Sequence, residues 1–294
     1  MKVKILGSGT SHGIPVIGCN CPVCTSNDSR DKRMRASVFI EGPGGESVLI
    51  DAGPEFRLQA LRAGINRLDA IFLTHAHADH IHGLDDIRPL CRDKPIPIFG
   101  NEPTIGEMEE RFAYIWKDTQ PGGGKPKLTP HSIAVPFLEG AVQIGALTCI
   151  PIPVKHGCLD ILGWEVLEAA GSENIKNPAK SFLYLTDTSA IPPASLEWLI
   201  NGNINQSERV WDKGLLRRVI VIGGLRRQPH ETHFSFEQAL DNASRLGAVE
   251  IYLTHICHSH SHAEIEEFCI NFRENQGLKG TEIHPAQDGQ EIIV

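Results

Sequence analysis

His75-Ala76-His77-Ala78-Asp79-His80 sets four side chains of metal-ligating type within six residues, directly after the apolar run Ala70-Ile71-Phe72-Leu73. Imidazole together with carboxylate suits Zn, Fe or Mn, and a tight turn after a strand would aim His75 and His77 at one ion and Asp79 and His80 at a neighbour. Any one of these histidines taken alone reads equally well as a surface or core side chain. The density of the cluster and its place at a strand end argue for a metal site instead.

Three further apolar runs stop in the same way, at Leu185-Thr186-Asp187, Leu253-Thr254-His255 and Ile152-Pro153-Val154-Lys155-His156. In open α/β architectures functional groups gather at the carboxyl ends of strands, so residues this far apart in sequence are able to converge. Two ions need about seven protein ligands. The chain supplies them if His156 completes the site of His75 and His77, His255 completes that of Asp79 and His80, and Asp187 bridges the two.

The runs Val48–Ile50, Ala70–Leu73, Phe182–Leu185, Val219–Ile222 and Glu250–Leu253 read as buried strands. Helices are expected at Glu55–Ala63, at Phe234–Leu246 with Ser235 as a cap, and at His262–Glu274. Strands alternating with helices make an α/β chain, read as a single domain over residues 1–294 with loops or insertions around 106–132 and 199–214. Within these, Thr119–Thr129 carries Pro121-Gly122-Gly123-Gly124, and Asn201–Lys213 is polar and rich in asparagine.

A length of 294 residues with 41% hydrophobic and 22% charged side chains supports a sizeable buried core and excludes a disordered chain. The net charge of -8 argues against a broad nucleic-acid surface while leaving room for a small anionic substrate. No apolar run reaches membrane length, and Met1-Lys2-Val3-Lys4-Ile5-Leu6 leads straight into Gly7-Ser8-Gly9, so a cytoplasmic protein without a signal peptide or a membrane partner is expected. Of eight cysteines, Cys19, Cys21 and Cys24 are spaced for a metal rather than for disulfides. Gly7-Ser8-Gly9-Thr10-Ser11-His12-Gly13 lacks the ending of a P-loop and reads as a turn beside the cleft, with backbone amides that could touch an anion.

His75-x-His77-x-Asp79-His80, with Asp51 in Leu49-Ile50-Asp51-Ala52-Gly53, resembles the signature of the metallo-β-lactamase superfamily over nearly the whole chain. The resemblance implies a four-layer αβ/βα sandwich with metals in a cleft at one sheet edge. It also implies hydrolysis rather than redox chemistry, because the redox branch usually carries Glu where His77 stands. Gly18-Cys19-Asn20-Cys21-Pro22-Val23-Cys24, taken with Leu253-Thr254-His255-Ile256-Cys257-His258, is similar to the PhnP-like cyclic phosphodiesterases. That likeness implies a structural zinc on Cys19, Cys21, Cys24 and His258, in keeping with a closed Cys₃His set. Cys257 is the rival fourth ligand, and an iron–sulfur or redox site is the alternative for the three cysteines. His233 resembles the extra histidine that these enzymes keep beside their metals, a donor for the leaving group, although His230 or His233 could equally cap the following helix or face water. His260 and His262 read as a solvent-facing polar turn entering a helix. Arg226 and Arg227 are candidates for a phosphate grip, with exposed arginines as the plain alternative.

The expected activity is hydrolysis of a phosphodiester, a small cyclic phosphate or a nucleotide diester, by water activated between two divalent ions (Zn or Mn, with Fe allowed), with one structural zinc apart. Asp79 and Asp187 hold the ions and His233 assists departure of the leaving oxygen. The expected partner is a small phosphorylated substrate, with no nucleic acid and no membrane, and a homodimer is compatible with the reading. The alternatives are a thioesterase or lactonase, a tRNA 3′-processing member of the same fold, and a non-catalytic metal- or nucleotide-binding protein.

Overall fold

The β-branched runs are strands, and they assemble into two mixed sheets. The computed structural model describes residues 1–117, 124–168, 180–201 and 217–294. Strands β1 (Lys2–Gly7), β2 (Ser37–Glu41), β3 (Ser47–Ile50), β4 (Ala70–Phe72), β5 (Ile96–Asn101) and β6 (Leu128–Ile133) belong to the first sheet. The second contains β7 (Val142–Ile144), β8 (Leu147–His156), β9 (Leu159–Glu168), β10 (Lys180–Leu185), β11 (Arg217–Gly223), β12 (Glu250–Thr254) and β13 (Glu282–Pro285). Strand β14 (Glu291–Ile293) returns to the first sheet as its edge, giving the orders β14-β1-β2-β3-β4-β5-β6 and β13-β12-β11-β10-β9-β8-β7.

Both sheets follow one plan. The pairs from β14 through β3 are antiparallel and those from β3 to β6 parallel; the pairs from β7 through β10 are antiparallel and those from β10 to β13 parallel. Parallel neighbours need crossovers, which helices supply. Helices α1 (Phe56–Ala63), α2 (Ala78–Ile81) and α3 (Glu102–Arg111) serve the first sheet; α4 (Pro193–Asn201), α5 (Phe236–Ser244) and α6 (His262–Asn275) serve the second.

Three buried clusters divide the layers. One lies between the sheets, with Val3, Ile50 and Phe72 meeting Trp164, Phe182 and Val221. Another joins the first sheet to α1 and α3 through Leu49, Ile71, Phe56 and Met108, and a third joins the second sheet to α4, α5 and α6 through Ile220, Leu253, Trp198, Leu240 and Ile265. Strands covered on both faces read as continuous apolar runs, as Val219-Ile220-Val221-Ile222 does. The result is the expected four-layer αβ/βα sandwich.

The expected helices form, with caps that set their bounds. Ser235 and Gln238 make a capping box at α5, Ser261 and Glu264 make another at α6, and Gly64 ends α1 in the left-handed conformation. The expectation of loop material over 106–132 needs correction, since α3 ends at Arg111 and β6 begins at Leu128. Residues 118–123 of that stretch, and 202–214 of the asparagine-rich one, lie outside the described residues. Among the described residues no helix is long and apolar enough to cross a membrane.

Candidate functional site

All seven candidate ligands of the paired site come together where the carboxyl ends of the strands meet. One ligand atom from each of His75, His77 and His156 lies within 4.8 Å of the others, and the same holds for Asp79, His80, Asp187 and His255. The two groups adjoin, with the His75 and His80 rings 4.2 Å apart between centroids. Asp187 faces both, because it also forms a group with His156 and His233.

The backbone is bent to deliver these side chains. Asp51 and His255 directly follow a strand and Asp187 lies two residues past one, and each is a non-glycine residue with positive φ, at 61°, 56° and 52°. Such conformations persist only where the surroundings impose them, and they cluster at functional sites. The loop carrying the first cluster is clamped at several points: Trp164 Nε1 donates to Leu73 O at 3.1 Å, Arg111 to Ala76 O at 2.6 Å, and Ala52 N to His80 O at 2.7 Å. Gly83 allows a close approach here, since a Cβ on it would stand 2.1 Å from Gly53 O.

Outer hydrogen bonds orient the imidazoles. Asp51 accepts from Thr74 N and Thr74 Oγ1, both at 2.8 Å, and lies 2.7 Å from His80 Nδ1. A proton on that Nδ1 leaves Nε2 of His80 directed between Asp79 and Asp187, 3.2 Å from an oxygen of each. His156 Nδ1 donates to Thr232 O at 2.7 Å in the same way. In the sequence Asp51 stands only as a motif position. Its role as the group that orients His80 comes from the fold, as do those of the threonines in two of the three Leu-Thr-ligand triplets, Thr74 and Thr186, whose hydroxyls bond Asp51 and Asp187.

The electrostatics call for cations. Burial opposes charge on Asp187 and Asp79, yet the histidines around them outweigh it and hold both carboxyls well below the ordinary range. His80 is also penalised by burial, and Asp187, Asp79 and Asp51 together pull it well above the usual imidazole value. His75, His77 and His156 are pushed the other way, first by burial and then by neighbouring histidines, so they favour the neutral form that ligates metal. Nε2 of His80 and of His255 are buried and make no hydrogen bond among the described residues. Buried polar atoms are normally paired, so ring nitrogens left without a hydrogen bond among buried carboxylates fit a site built to take divalent cations in place of protons.

The cysteines form a separate cluster. Sγ of Cys19, Cys21 and Cys24 lie 3.4, 3.4 and 3.5 Å from His258 Nδ1. Cys257, the rival ligand, turns its thiol to Ser259 Oγ at 3.0 Å instead. The Cys24 amide lowers the Cys21 thiol to about 6, while burial raises Cys24 to about 11. The four atoms fit the closed tetrahedral set of a structural zinc.

His233 reaches the paired site: its Nε2 lies 3.1 Å from Asp187 Oδ1 and its ring stacks on His255 at 5.0 Å. His230 is exposed, 3.3 Å from His233 through the Nδ1 atoms. Neither caps α5, which Ser235 does. His262 corrects the reading of a solvent-facing turn. It is 4% exposed, and its amide donates to Asp31 Oδ1 at 2.7 Å, while His260 is half-buried. Arg227 lies over the Phe268 ring, 5.0 Å from its centroid, and Nε of Arg226 is buried without a partner. The Gly7–Gly13 turn offers no anion cradle at its start: the amides of Ser8, Gly9 and Thr10 donate to Asp288, Met34 and Ile256. Sequence reading also passed over Arg33, which is buried and donates to the carbonyls of Cys257 and His260, on either side of His258.

The Beta-lactamase superfamily domain matches residues 46–256. A crystal structure of a diphosphatase from the PhnP family superposes with a TM-score of 0.76 at 36% identity, covering 99% of this chain and 96% of that one. An octanoyltransferase of Porphyromonas gingivalis is 35% identical over 100% of this chain and 52% of its own length, so the chain spans about half of that relative. Human tRNase Z, short form, shares the fold at a TM-score of 0.62 and 16% identity, covering 100% of this chain and 99% of that one.

Proposed function

The chain belongs to the beta-lactamase superfamily and within it to the PhnP family, and from that premise we propose that it is a phosphodiester hydrolase working with two divalent ions, Zn or Mn. The observation that carries the reading is the meeting of seven ligands with Nε2 of His80 and His255 left open between buried carboxylates. His75, His77 and His156 would hold one ion, Asp79, His80 and His255 the other, with Asp187 shared; Cys19, Cys21, Cys24 and His258 would hold a structural zinc. Bound ions would supply Lewis acidity at the phosphoryl oxygens and lower the pKa of water.

The chain's own groups do the rest. Asp51 keeps Nε2 of His80 facing inward, and the Thr232 carbonyl does the same for His156. Asp187 holds the centre of the cluster in register with three imidazoles around it. His233 stands at the open side, 15% exposed at its side chain, and gives its proton to the departing oxygen. Protein stripped by a strong chelator should lose turnover of bis-p-nitrophenyl phosphate and regain it with Zn or Mn. Full activity in metal-free protein would sink the proposal.

Two relatives favour a second reading by their descriptions, one a diphosphatase and the other an octanoyltransferase. Leaving-group dependence separates these from the first. An alkoxide leaves badly without a proton, whereas p-nitrophenolate and a phosphate leave well. His233→Ala should therefore slow diesters with alkoxide leaving groups by about 10² to 10⁴-fold and p-nitrophenyl esters far less. An equal loss on both would assign His233 to holding a metal; turnover confined to diphosphates, or octanoyl transfer in place of diester hydrolysis, would move the assignment to those relatives' chemistry.

A further inference from the structure

Asp31, Lys32 and Arg33 grip both sides of the cysteine cluster without supplying a ligand to it. On the side of the cysteine loop, Lys32 Nζ donates to Cys24 O at 3.1 Å. On the side of the histidine, Arg33 Nη1 donates to Cys257 O at 3.0 Å and its Nη2 to His260 O at 3.3 Å. Asp31 Oδ1 accepts from His262 N at 2.7 Å and lies 3.3 Å from Arg33 Nη2. Asp31 is 2% exposed and Arg33 1%. A buried ion pair is a weak stabiliser, since lost hydration offsets its attraction. Its planar guanidinium does fix geometry, because the fork reaches two carbonyls at once where an ammonium would not.

The stretch so held carries one ligand of each metal site. Residues 255–261 run between β12 and α6, so their path depends on contacts with other segments. His255 Nε2 lies 3.1 Å from Asp187 Oδ1, and His258 Nδ1 faces the three sulfurs. Three residues span at most about 11 Å, so a displacement of His258 is felt at His255. Ile256 is bonded to Ser8 O and Thr10 N, and Cys257 N to Leu225 O. Arg33 takes the two carbonyls that flank His258. The group of His75, His77 and His156 is anchored elsewhere, through Trp164, Arg111 and the Thr232 carbonyl.

Resting on the two-ion reading, we propose that Arg33 is a positioning residue. Through the carbonyls of Cys257 and His260 it sets the 255–260 segment, aiming His255 at the ion of Asp79 and His80 and His258 at the cysteines. The ion of His75, His77 and His156 does not depend on it.

Cobalt(II) titration of the chelator-stripped full chain tests this, because cobalt bound to thiolate gives a charge-transfer band that cobalt on imidazole and carboxylate lacks. Wild type is compared with Arg33→Met, which keeps the bulk and removes both donors, and with Arg33→Lys, which restores a cation without the fork. Circular dichroism of each variant reports folding. Wild type should take up one cobalt ion with the band and two without it. In Arg33→Met the thiolate-bound ion and one of the other two should each bind about 10 to 100-fold more weakly, with the remaining ion held as in wild type. Arg33→Lys should fall between the two, and it decides on the same readout if Arg33→Met does not fold. A purely structural loss would weaken all three ions alike. That result, or an unchanged affinity for both ions that lack the band, overturns the positioning role while the two-ion reading stands. Wild type taking up fewer than two ions beside the thiolate-bound one overturns the two-ion reading and the role of Arg33 with it.

Discussion

Asp187→Asn is expected to lower turnover by at least about 10³-fold while leaving the protein folded. The carboxylate is fully enclosed, and its two oxygens face three imidazoles: Oδ2 lies 3.2 Å from His80 Nε2, and Oδ1 lies 3.1 Å from both His255 Nε2 and His233 Nε2. The amide keeps the volume but removes the charge, and it points an N–H₂ donor at one of those nitrogens. That side can then serve neither as a ligand nor as an acceptor toward a cation. The shared position fails for both groups of ligands at once, which truncating a peripheral histidine would not achieve. Turnover of a p-nitrophenyl diester, metal content and a thermal melt on the same preparation decide it. Activity within tenfold of wild type, with metal content unchanged, would show that Asp187 is not the shared ligand.

Arg218→Ala should give the largest loss of stability, about 3 to 5 kcal/mol, or a fall in Tm of about 6 to 20 °C for a chain of this size. Arg218 leaves β11 into the layer under the helices, 3% exposed. Its Nη1 donates to Leu199 O in α4 at 2.6 Å and to Leu246 O beyond α5 at 2.9 Å, and its Nη2 donates to Glu165 Oε1 in β9 at 2.9 Å. Glu165 is 0% exposed and otherwise accepts from Ser181 Oγ at 2.6 Å and Trp198 Nε1 at 3.3 Å. Removing the guanidinium strands a carboxylate and two carbonyls in the core. The Arg218→Met/Glu165→Met double variant should recover much of the loss, because replacing a buried pair by apolar groups is often close to neutral. A melt of Arg218→Ala within about 3 °C of wild type would show that water reaches the site and relieves the stranded groups.

Local chemistry made part of the molecule legible. Uninterrupted β-branched runs name strands whichever partners they pair with, and serine caps such as Ser235 and Ser261 mark helix starts through bonds within one turn. The signal failed where the decisive contact is remote. His262 reads as a polar turn by its neighbours Ser259, His260 and Ser261, yet it is buried against Asp31, 231 residues away. Cys257 and His258 are adjacent and equally plausible as ligands on paper. Only the path of the chain past the N-terminal loop turns one toward Cys19, Cys21 and Cys24 and the other toward Ser259.

By itself, then, the sequence determined the alternation of strands and helices and the identities of the ligand-type residues, because hydrophobic period and side-chain chemistry are written residue by residue. Tertiary structure decided that Asp187 stands between the two groups and that Asp51 aims His80. Those are distances between strands of two different sheets and the helices that cover them, set by how the core between the sheets packs.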